Sequence, residues 1–206
     1  ALNGSAVVAN QFISAVDIAA GRLVFTPNAN ANGGAYAGFT FRVQDDGGTA
    51  NGGVDLDSGA RVMTIDVMAV NDAPVGTNKT VTTVEDVAYT FTVADFGFTD
   101  PADAPPDAFA GVKISALPAA GTLALNGSAV VTNQFISAAD IAAGGLVFTP
   151  AANANGAAYA SFRFQVQDSG GTANGGVDLD PVARVMTFDG TAVNDAPQVV
   201  QGFPVP

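Results

Sequence analysis

An internal repeat is the feature that most constrains the fold of this chain. Residues 1–74 recur as residues 124–197, at a constant offset of 123, and 60 of the 74 aligned positions are identical. Self-similarity of this length predicts a tandem array of domains, each the size of one sandwich module. The counterpart of residues 75–123 is missing in front of Ala1, so we expect the first copy to lack its opening strands. The predicted domains are a partial repeat at 1–74, a complete repeat at 75–197, and the start of a further repeat or a tail at 198–206.

Apolar residues alternate with polar ones along several short stretches of the module. Phe162, Phe164 and Val166 show this alternation, as do their counterparts in the first copy and the stretch at residues 87–93. A period of two is that of a half-buried β-strand. About seven short strands, with turn signals every ~8–12 residues, predict an all-β fold of antiparallel immunoglobulin-type sandwiches in tandem.

Two local patterns predict a turn and a helix. Asn126-Gly127 lies between apolar pairs and predicts a tight hairpin turn, because both central residues of such a turn take a positive φ. Residues 137–144 begin with Ser137, carry Asp140 three positions later and end in glycine. This pattern predicts one to two helical turns.

The composition excludes several classes of function. The chain has 19 acidic and 7 basic residues, for a net charge of −12, which disfavours binding to nucleic acid or to anionic membranes. It has no cysteine and no histidine, which excludes thiolate chemistry and the commonest general base. No apolar run is long enough to span a bilayer, so we expect no membrane insertion. Without a nucleophile motif either, the chain is not expected to be an enzyme.

A hexapeptide, Ala-Val-Asn-Asp-Ala-Pro, closes both copies of the repeat, at residues 69–74 and 192–197. It resembles the linker of cadherin-like tandem repeats in large secreted bacterial adhesins of the RTX type. The resemblance extends over the whole chain and includes Glu85-Asp86 and Val166-Gln167-Asp168. It implies an immunoglobulin-like sandwich, a stalk, spacer or adhesive role on the cell surface or in secreted form, and calcium at the joints between neighbouring repeats.

The predicted strand directions place acidic residues at both poles of the complete module. If the linker marks the top, alternation of strand direction brings the acidic loops back to it. The top pole then holds Asn71, Asp72, Asp100, Asp103 and Asp168. The bottom pole holds Glu85, Asp86, Asn194 and Asp195.

Oxygen-bearing side chains gathered in this way are the ligands that calcium requires, since it takes about six to eight oxygens. All nine residues are therefore candidate metal ligands, whereas Asp107 is expected to be solvated. The alternative is that Asp and Asn populate the turns for backbone reasons alone.

The leading hypothesis is a non-catalytic extracellular structural or adhesin repeat, a spacer that calcium makes rigid. An alternative is a subunit of a self-assembling extracellular filament, in which the exposed strand edges of the first copy accept a strand from another copy of the chain. A third possibility, a carbohydrate-binding module, requires exposed aromatic side chains, and the alternating aromatics are expected to lie in the core.

Overall fold

The computed structural model describes residues 1–197 and divides into two compact units. Unit 1 is Ala1–Val70, and unit 2 runs from Asn71 onward. The linker residues 71–74, assigned by sequence to the first repeat, therefore belong to unit 2. The segment 198–206, predicted to be the start of a further repeat or a tail, lies outside the described residues.

Short strands provide most of the regular structure. Unit 1 contains α1 (Ala15–Ala19), β1 (Gly33–Phe41) and β2 (Arg61–Val67). The strands of unit 2 are β3 (Lys79–Val84), β4 (Tyr89–Thr90), β5 (Phe109–Ala116), β6 (Thr122–Leu125), β7 (Ser128–Ala129), β8 (Phe135–Ser137), β9 (Leu146–Thr149), β10 (Gly156–Asp168) and β11 (Arg184–Thr191). Its helical elements are α2 (Ala138–Ala142) and 3₁₀ turns at Val93–Phe96 and Ala173–Gly175. Among residues 1–197, no helix is long and apolar enough to cross a membrane.

Unit 2 is a sandwich of two sheets, as the sequence predicted. One sheet has five strands in the order β3-β11-β10-β5-β8, and the other has four in the order β4-β9-β6-β7. The pair β3 and β11 is parallel, with Lys79 opposite Met186, and the other pairs are antiparallel. The predicted all-β, immunoglobulin-like fold is thereby confirmed.

Phenylalanine fills the core of unit 2. Along β10, Phe162 and Phe164 are buried while Arg163 between them is exposed, which is the alternation that the sequence predicted. Phe148 of the four-stranded sheet stacks on Phe188 of the five-stranded sheet, with ring centroids 3.8 Å apart. The two sheets are thus joined by direct contact between aromatic rings.

Of three local predictions for unit 2, the turn and the helix are correct and the extent of one strand is wrong. Asn126 and Gly127 adopt φ values of 49° and 81° in the turn between β6 and β7. Ser137 caps α2 by accepting a hydrogen bond from the backbone N–H of Asp140. The predicted strand at 87–93 is limited to Tyr89–Thr90, because a capping box between Thr92 and Asp95 turns the chain into a 3₁₀ helix.

Unit 1 repeats the hairpin of unit 2 without the strands that cover it. Phe39 lies opposite Met63, as Phe162 lies opposite Met186, and both ladders carry the same register shift. However, no residue of unit 1 is buried. Phe39 is 43% exposed, whereas Phe162 is 1% exposed. The near-identical sequence therefore forms the same ladder but no core.

Matched substitutions in the two units measure this difference. We expect Phe162→Ala to lower the free energy of unfolding of unit 2 by ~3–5 kcal/mol, because it leaves a cavity in a closed core. The twin substitution Phe39→Ala removes a ring that is already open to solvent, and we expect a cost below ~1 kcal/mol in unit 1. Amide hydrogen exchange of β10 and β1 reads the two units separately. Equal losses in both units would contradict the described difference in packing.

Candidate metal centre

Side-chain oxygens converge at the end of unit 2 where β10 ends. Asp168 is the last residue of β10, and it lies opposite Phe109, the first residue of β5. The loop at residues 100–107 precedes β5, and Asn71 is the first residue of unit 2. Because β10 and β5 are antiparallel neighbours, the end of one strand and the start of the other lie at the same edge of the sheet.

Asn71 is held against the loop that follows β10. The two hydrogens of its Nδ2 atom are shared among three acceptors, which are Asp168 Oδ1 at 3.0 Å, the carbonyl of Gly171 at 3.1 Å and that of Val177 at 2.8 Å. The backbone N–H of Val177 donates in return to the carbonyl of Asn71 at 2.9 Å. These bonds fix the orientation of the amide group and leave its Oδ1 atom to face other partners.

Three aspartates of the loop at 100–107 form a compact group. Asp100, Asp103 and Asp107 each offer a carboxylate oxygen, and these atoms lie within 4.8 Å of one another. The loop is closed by a hydrogen bond of 2.6 Å from the N–H of Asp107 to Asp100 Oδ2. Asp103 is held by a hydrogen bond of 2.9 Å from the N–H of Asp72 to its Oδ2 atom.

Three buried oxygens at this edge accept no hydrogen bond from any residue in the range 1–197: Asn71 Oδ1, Asp100 Oδ1 and Asp168 Oδ2. The side chains of Asp100 and Asp168 belong to residues that are only 5% and 2% exposed. A buried carboxylate oxygen without a donor is costly, so natural proteins pair such atoms with hydrogen-bond donors or metal ions.

Gly170 makes room for this arrangement. A Cβ atom at position 170 would overlap both Asn71 Oδ1 and Asp107 Oδ2, so these two oxygens lie directly over the glycine backbone. Carboxylate and amide oxygens are the ligands of hard divalent cations such as calcium. The residues that would hold the cation are Asn71, Asp100, Asp103, Asp107 and Asp168.

The pKa of Asp168 reflects its burial beside other carboxylates. Burial raises the pKa of its carboxyl group above the ordinary value, and the negative charges of Asp100 and Asp107 raise it further. Hydrogen bonds from the Gly170 N–H and from Asn71 oppose this shift but do not cancel it. A cation at this position would favour the ionised carboxylate.

The structure brings together most of the residues that the sequence placed at the top pole. Asn71, Asp100, Asp103 and Asp168 meet there, and half-buried Asp72 contributes its backbone N–H to Asp103. Asp107 was expected to be solvated, and this expectation is wrong: the residue is half-buried within the group. The spacing Asp-x-x-Asp-x-x-x-Asp, in a loop rich in proline, is the sequence signal that could have identified Asp107 as a member of the group.

The bottom-pole residues have a different environment. Glu85 is buried, and its two carboxylate oxygens accept hydrogen bonds from the N–H of Val193 and from Asn155 Nδ2. These bonds, that from Val193 first, lower the pKa of Glu85. Asp86 accepts a bond of 2.9 Å from the N–H of Asn153. Glu85 therefore already has donors for both oxygens.

Asn194 and Asp195 are exposed in the structure, and Asp86 is exposed as well. A metal-binding role for the bottom pole stays a prediction.

The sequence analysis did not identify one buried aspartate that holds two loops of unit 2 together. Asp180 is fully buried, and its Oδ2 atom accepts hydrogen bonds of 2.8 Å from both the N–H of Gly76 and Arg184 Nε. Burial alone would raise the pKa of Asp180, but the bonds from Arg184, Gly76 and Val182 lower it overall. Asp180 fastens the chain ahead of β3 to the loop ahead of β11, so its role is structural.

Comparison with known proteins gives one match. A family model described as a bacterial Ig domain matches residues 71–180, which is more than half of the chain. The matched range begins at the first residue of unit 2 and includes Asn71, Asp180 and all four aspartates of the candidate metal centre. The comparisons with curated proteins and with solved structures give no match.

The raised pKa of Asp168 predicts an unusual pH dependence in calcium-free buffer. Since the folded state takes up this proton before the unfolded state does, the free energy of unfolding of unit 2 should rise as the pH falls from 7 through the folded-state pKa of Asp168. Below about pH 4 the gain ends, and groups with lowered pKa, such as Asp180, lose their contribution.

Asp168→Asn should abolish this rise and should stabilise calcium-free unit 2 at pH 7 by about 1 kcal/mol, because its amide donates to the neighbouring carboxylates. Hydrogen exchange of β10 as a function of pH provides the measurement. Asp45→Asn is the matched control, because Asp45 is the exposed counterpart in unit 1. A calcium-free Asp168→Asn protein that is less stable than the parent at pH 7 would contradict the assignment.

Proposed function

The chain belongs to the bacterial Ig domain family, and from this membership we propose that it acts as a spacer whose linker is stiffened by calcium. Domains of this family are typically non-catalytic and commonly lie outside the cell or on its surface. Membership therefore indicates an extracellular structural or adhesin-type module. The finer parts of the proposal, the cadherin-like linker and its calcium, rest on the geometry of the candidate metal centre.

The single observation that carries the calcium proposal is the set of three buried oxygens without donors. Asn71, Asp100 and Asp168 each contribute one of them, from three segments that are distant in the sequence. Turn formation alone accounts for aspartates that accept backbone N–H groups, but not for buried oxygens that accept none. The turn-only alternative therefore leaves the main feature of the cluster unexplained.

The donor set favours calcium over other common metal ions. Four carboxylates and one amide carbonyl supply oxygen ligands only, while the chain has no histidine or cysteine for zinc. Calcium accepts six to eight oxygens in a flexible geometry, whereas magnesium demands a near-ideal octahedron of smaller radius. Carboxylates from several loops fit the first requirement more readily than the second.

Calcium in this position would act on the point where the chain joins unit 2. Asn71 directly follows Val70, the last residue of unit 1, and it bears one of the proposed ligands. A cation shared by Asn71, the loop at 100–107 and the end of β10 would restrict the backbone motion of the linker. Neighbouring repeats of the same chain are then the partners of the module. The net charge of the whole chain, −12, favours solubility.

The alternative, a filament subunit that assembles by strand complementation, rests on the open face of unit 1. The two-stranded sheet β1-β2 is the only sheet among the described residues of unit 1, so both of its edges are unpaired there. Exposed strand edges accept strands from other chains. Filament assembly stays a prediction.

Calcium binding is tested with variants that alter the centre in two different ways. We expect calcium at about 100 times its Kd to raise the free energy of unfolding of unit 2 by ~2.7 kcal/mol. Asp168→Asn removes a ligand charge, and Gly170→Ala removes no carboxylate but displaces Asn71 Oδ1 and Asp107 Oδ2 from their positions. Both variants should lose most of this gain, whereas the twin changes in unit 1, Asp45→Asn and Gly47→Ala, should retain it. Calorimetric titration of calcium and hydrogen exchange of β10 provide the measurements.

Stiffening of the linker is measured separately from calcium binding. With one spin label in each unit, calcium should narrow the distribution of distances between the units in the parent chain and leave it unchanged in Gly170→Ala. Calcium binding without any narrowing would refute the stiffening role and leave the metal centre intact. An absence of calcium binding in the parent chain would refute both.

A further inference from the structure

The two sheets of unit 2 end in four edge strands, and three of these are short. The edge strands β4, β7 and β8 contain two, two and three residues. The fourth, β3, contains six residues, and its only neighbour in a sheet among the described residues is β11. Proteins prevent association through an edge strand by shortening it, by covering it, or by placing a proline, a charge or a bulge in it.

The strand β3 shows none of these protective features in its sequence or in its ladder. Residues 80–84 read Thr-Val-Thr-Thr-Val, without a charge, a proline or a glycine. The ladder with β11 is regular from Lys79 to Val84, with one partner for each residue. β-Branched residues favour the extended conformation. The strand β3 is therefore a regular edge that can accept a further strand.

The main-chain groups of Thr80 and Thr82 point away from β11. The N–H of Glu85 donates to the carbonyl of Thr191 in β11 at 2.9 Å, so Glu85 faces that strand. Successive residues of a strand direct their N–H and C=O groups to opposite sides, and Thr80 and Thr82 lie an odd number of positions from Glu85. Within residues 1–197, no hydrogen bond engages the main-chain groups of these two threonines on the open side.

The side chains of β3 separate into an inner and an outer set. Val81 is buried in the core, whereas Thr80, Thr82 and Val84 are exposed on the outer face of the five-stranded sheet. β-Branched and hydroxyl side chains that lie opposite one another stabilise a pair of antiparallel strands. The outer set therefore offers a further strand side-chain contacts in addition to main-chain hydrogen bonds.

Symmetry and charge favour a second copy of this chain as the partner of β3. In antiparallel pairing of two β3 strands centred on Thr82, Thr82 lies opposite its own counterpart and Thr80 lies opposite Val84. These are pairs of outward-facing residues, so donors on one strand meet acceptors on the other. The same register places Lys79 opposite Glu85, so unlike charges face each other at both ends of the pair.

We propose that β3 is a dimerisation edge, at which two copies of the chain join their five-stranded sheets through antiparallel pairing of β3 with β3. A two-fold interface of this kind needs only one self-complementary surface, and it closes after two copies. Because the two β3 strands are antiparallel, the two modules point in opposite directions. This orientation suits chains that extend from facing surfaces, a reading that rests on the proposed extracellular role; the pairing itself requires neither that role nor calcium.

The interface is one strand wide, and each chain carries a net charge of −12. A small interface between two acidic chains forms a weak dimer, and repulsion between the chains is screened by salt. We therefore expect the dimer to become tighter as the salt concentration rises. Covalent trapping is the suitable method for a weak dimer, and the chain has no cysteine of its own to interfere.

Single cysteines introduced into the full chain test the register. Thr82→Cys brings two thiols to opposed positions, where Cα atoms about 5.5 Å apart lie within reach of a disulfide. In a buffer with oxidised glutathione, we expect it to form disulfide dimers at least about tenfold faster than Ser161→Cys, an exposed control on β10 of the same sheet. Thr80→Cys alone should match the control, whereas a mixture of Thr80→Cys and Val84→Cys should cross-link rapidly.

Thr82→Lys tests the pairing without a cysteine. It places two positive charges opposite each other at the centre of the pair, so we expect the dimer Kd from sedimentation equilibrium to rise at least about tenfold. Amide exchange of β10 should stay at the parent value, which shows that unit 2 remains folded. Calcium is left out of all buffers, so the outcome is independent of the proposed metal centre.

Three results would overturn the proposal. The first is equal cross-linking of Thr82→Cys and Ser161→Cys. The second is cross-linking of Thr80→Cys with itself as fast as that of Thr82→Cys, because the proposed register keeps the two Thr80 positions apart. The third is association of the parent chain without rapid cross-linking of Thr82→Cys, because that result would identify a different segment as the contact.

Discussion

A sheet whose apolar face is uncovered cannot form a core, and this constraint separates the two halves of the chain. Both copies of the repeat fold β1-β2 or β10-β11 into the same ladder with the same register shift. Only unit 2 contains residues 71–123, and only unit 2 has buried residues. The phenylalanines of β10 are buried because Phe91 packs against Phe162 and Phe96 packs against Phe164 between the two sheets. Local pairing and core formation are therefore separable properties of this sequence.

The same segment creates the electrostatic environment of the candidate metal centre. Asp168 and Asp45 occupy equivalent positions and have the same residues after them in the turn, apart from one. Asp168 is buried with a raised pKa, since Asn71 and the loop at 100–107 cover it, whereas Asp45 is exposed. Four of the five proposed ligands, all except Asp168, thus come from the same stretch of chain as the elements that close the core, residues 71–123. Burial therefore raises the pKa of an aspartate that would otherwise be an ordinary turn residue.

Local signals in the sequence predicted the features that depend on a few consecutive residues. The alternation around Phe162, the Asn126-Gly127 turn and the cap of α2 by Ser137 are of this kind, and so is the direction of each strand, which placed Asn71 and Asp168 at one pole. Features made by distant residues were missed. The hydrogen bond from the Gly76 N–H to Asp180 joins residues 104 positions apart in the sequence, and no local pattern indicates it. Asp107 was misjudged for a related reason, because its position depends on the loop folding back onto Asp100.

Because the core and the proposed cation both depend on residues 71–123, calcium binding would be linked to folding. The cation would favour the state in which Asn71 and the loop at 100–107 lie against β10, and that is also the state in which β3 and β5 close the sandwich. Without a cation, repulsion among the four carboxylates works against this closure. Under the proposal, a repeat of this design would be stiffest at its joint under the same conditions that make its own sandwich most stable.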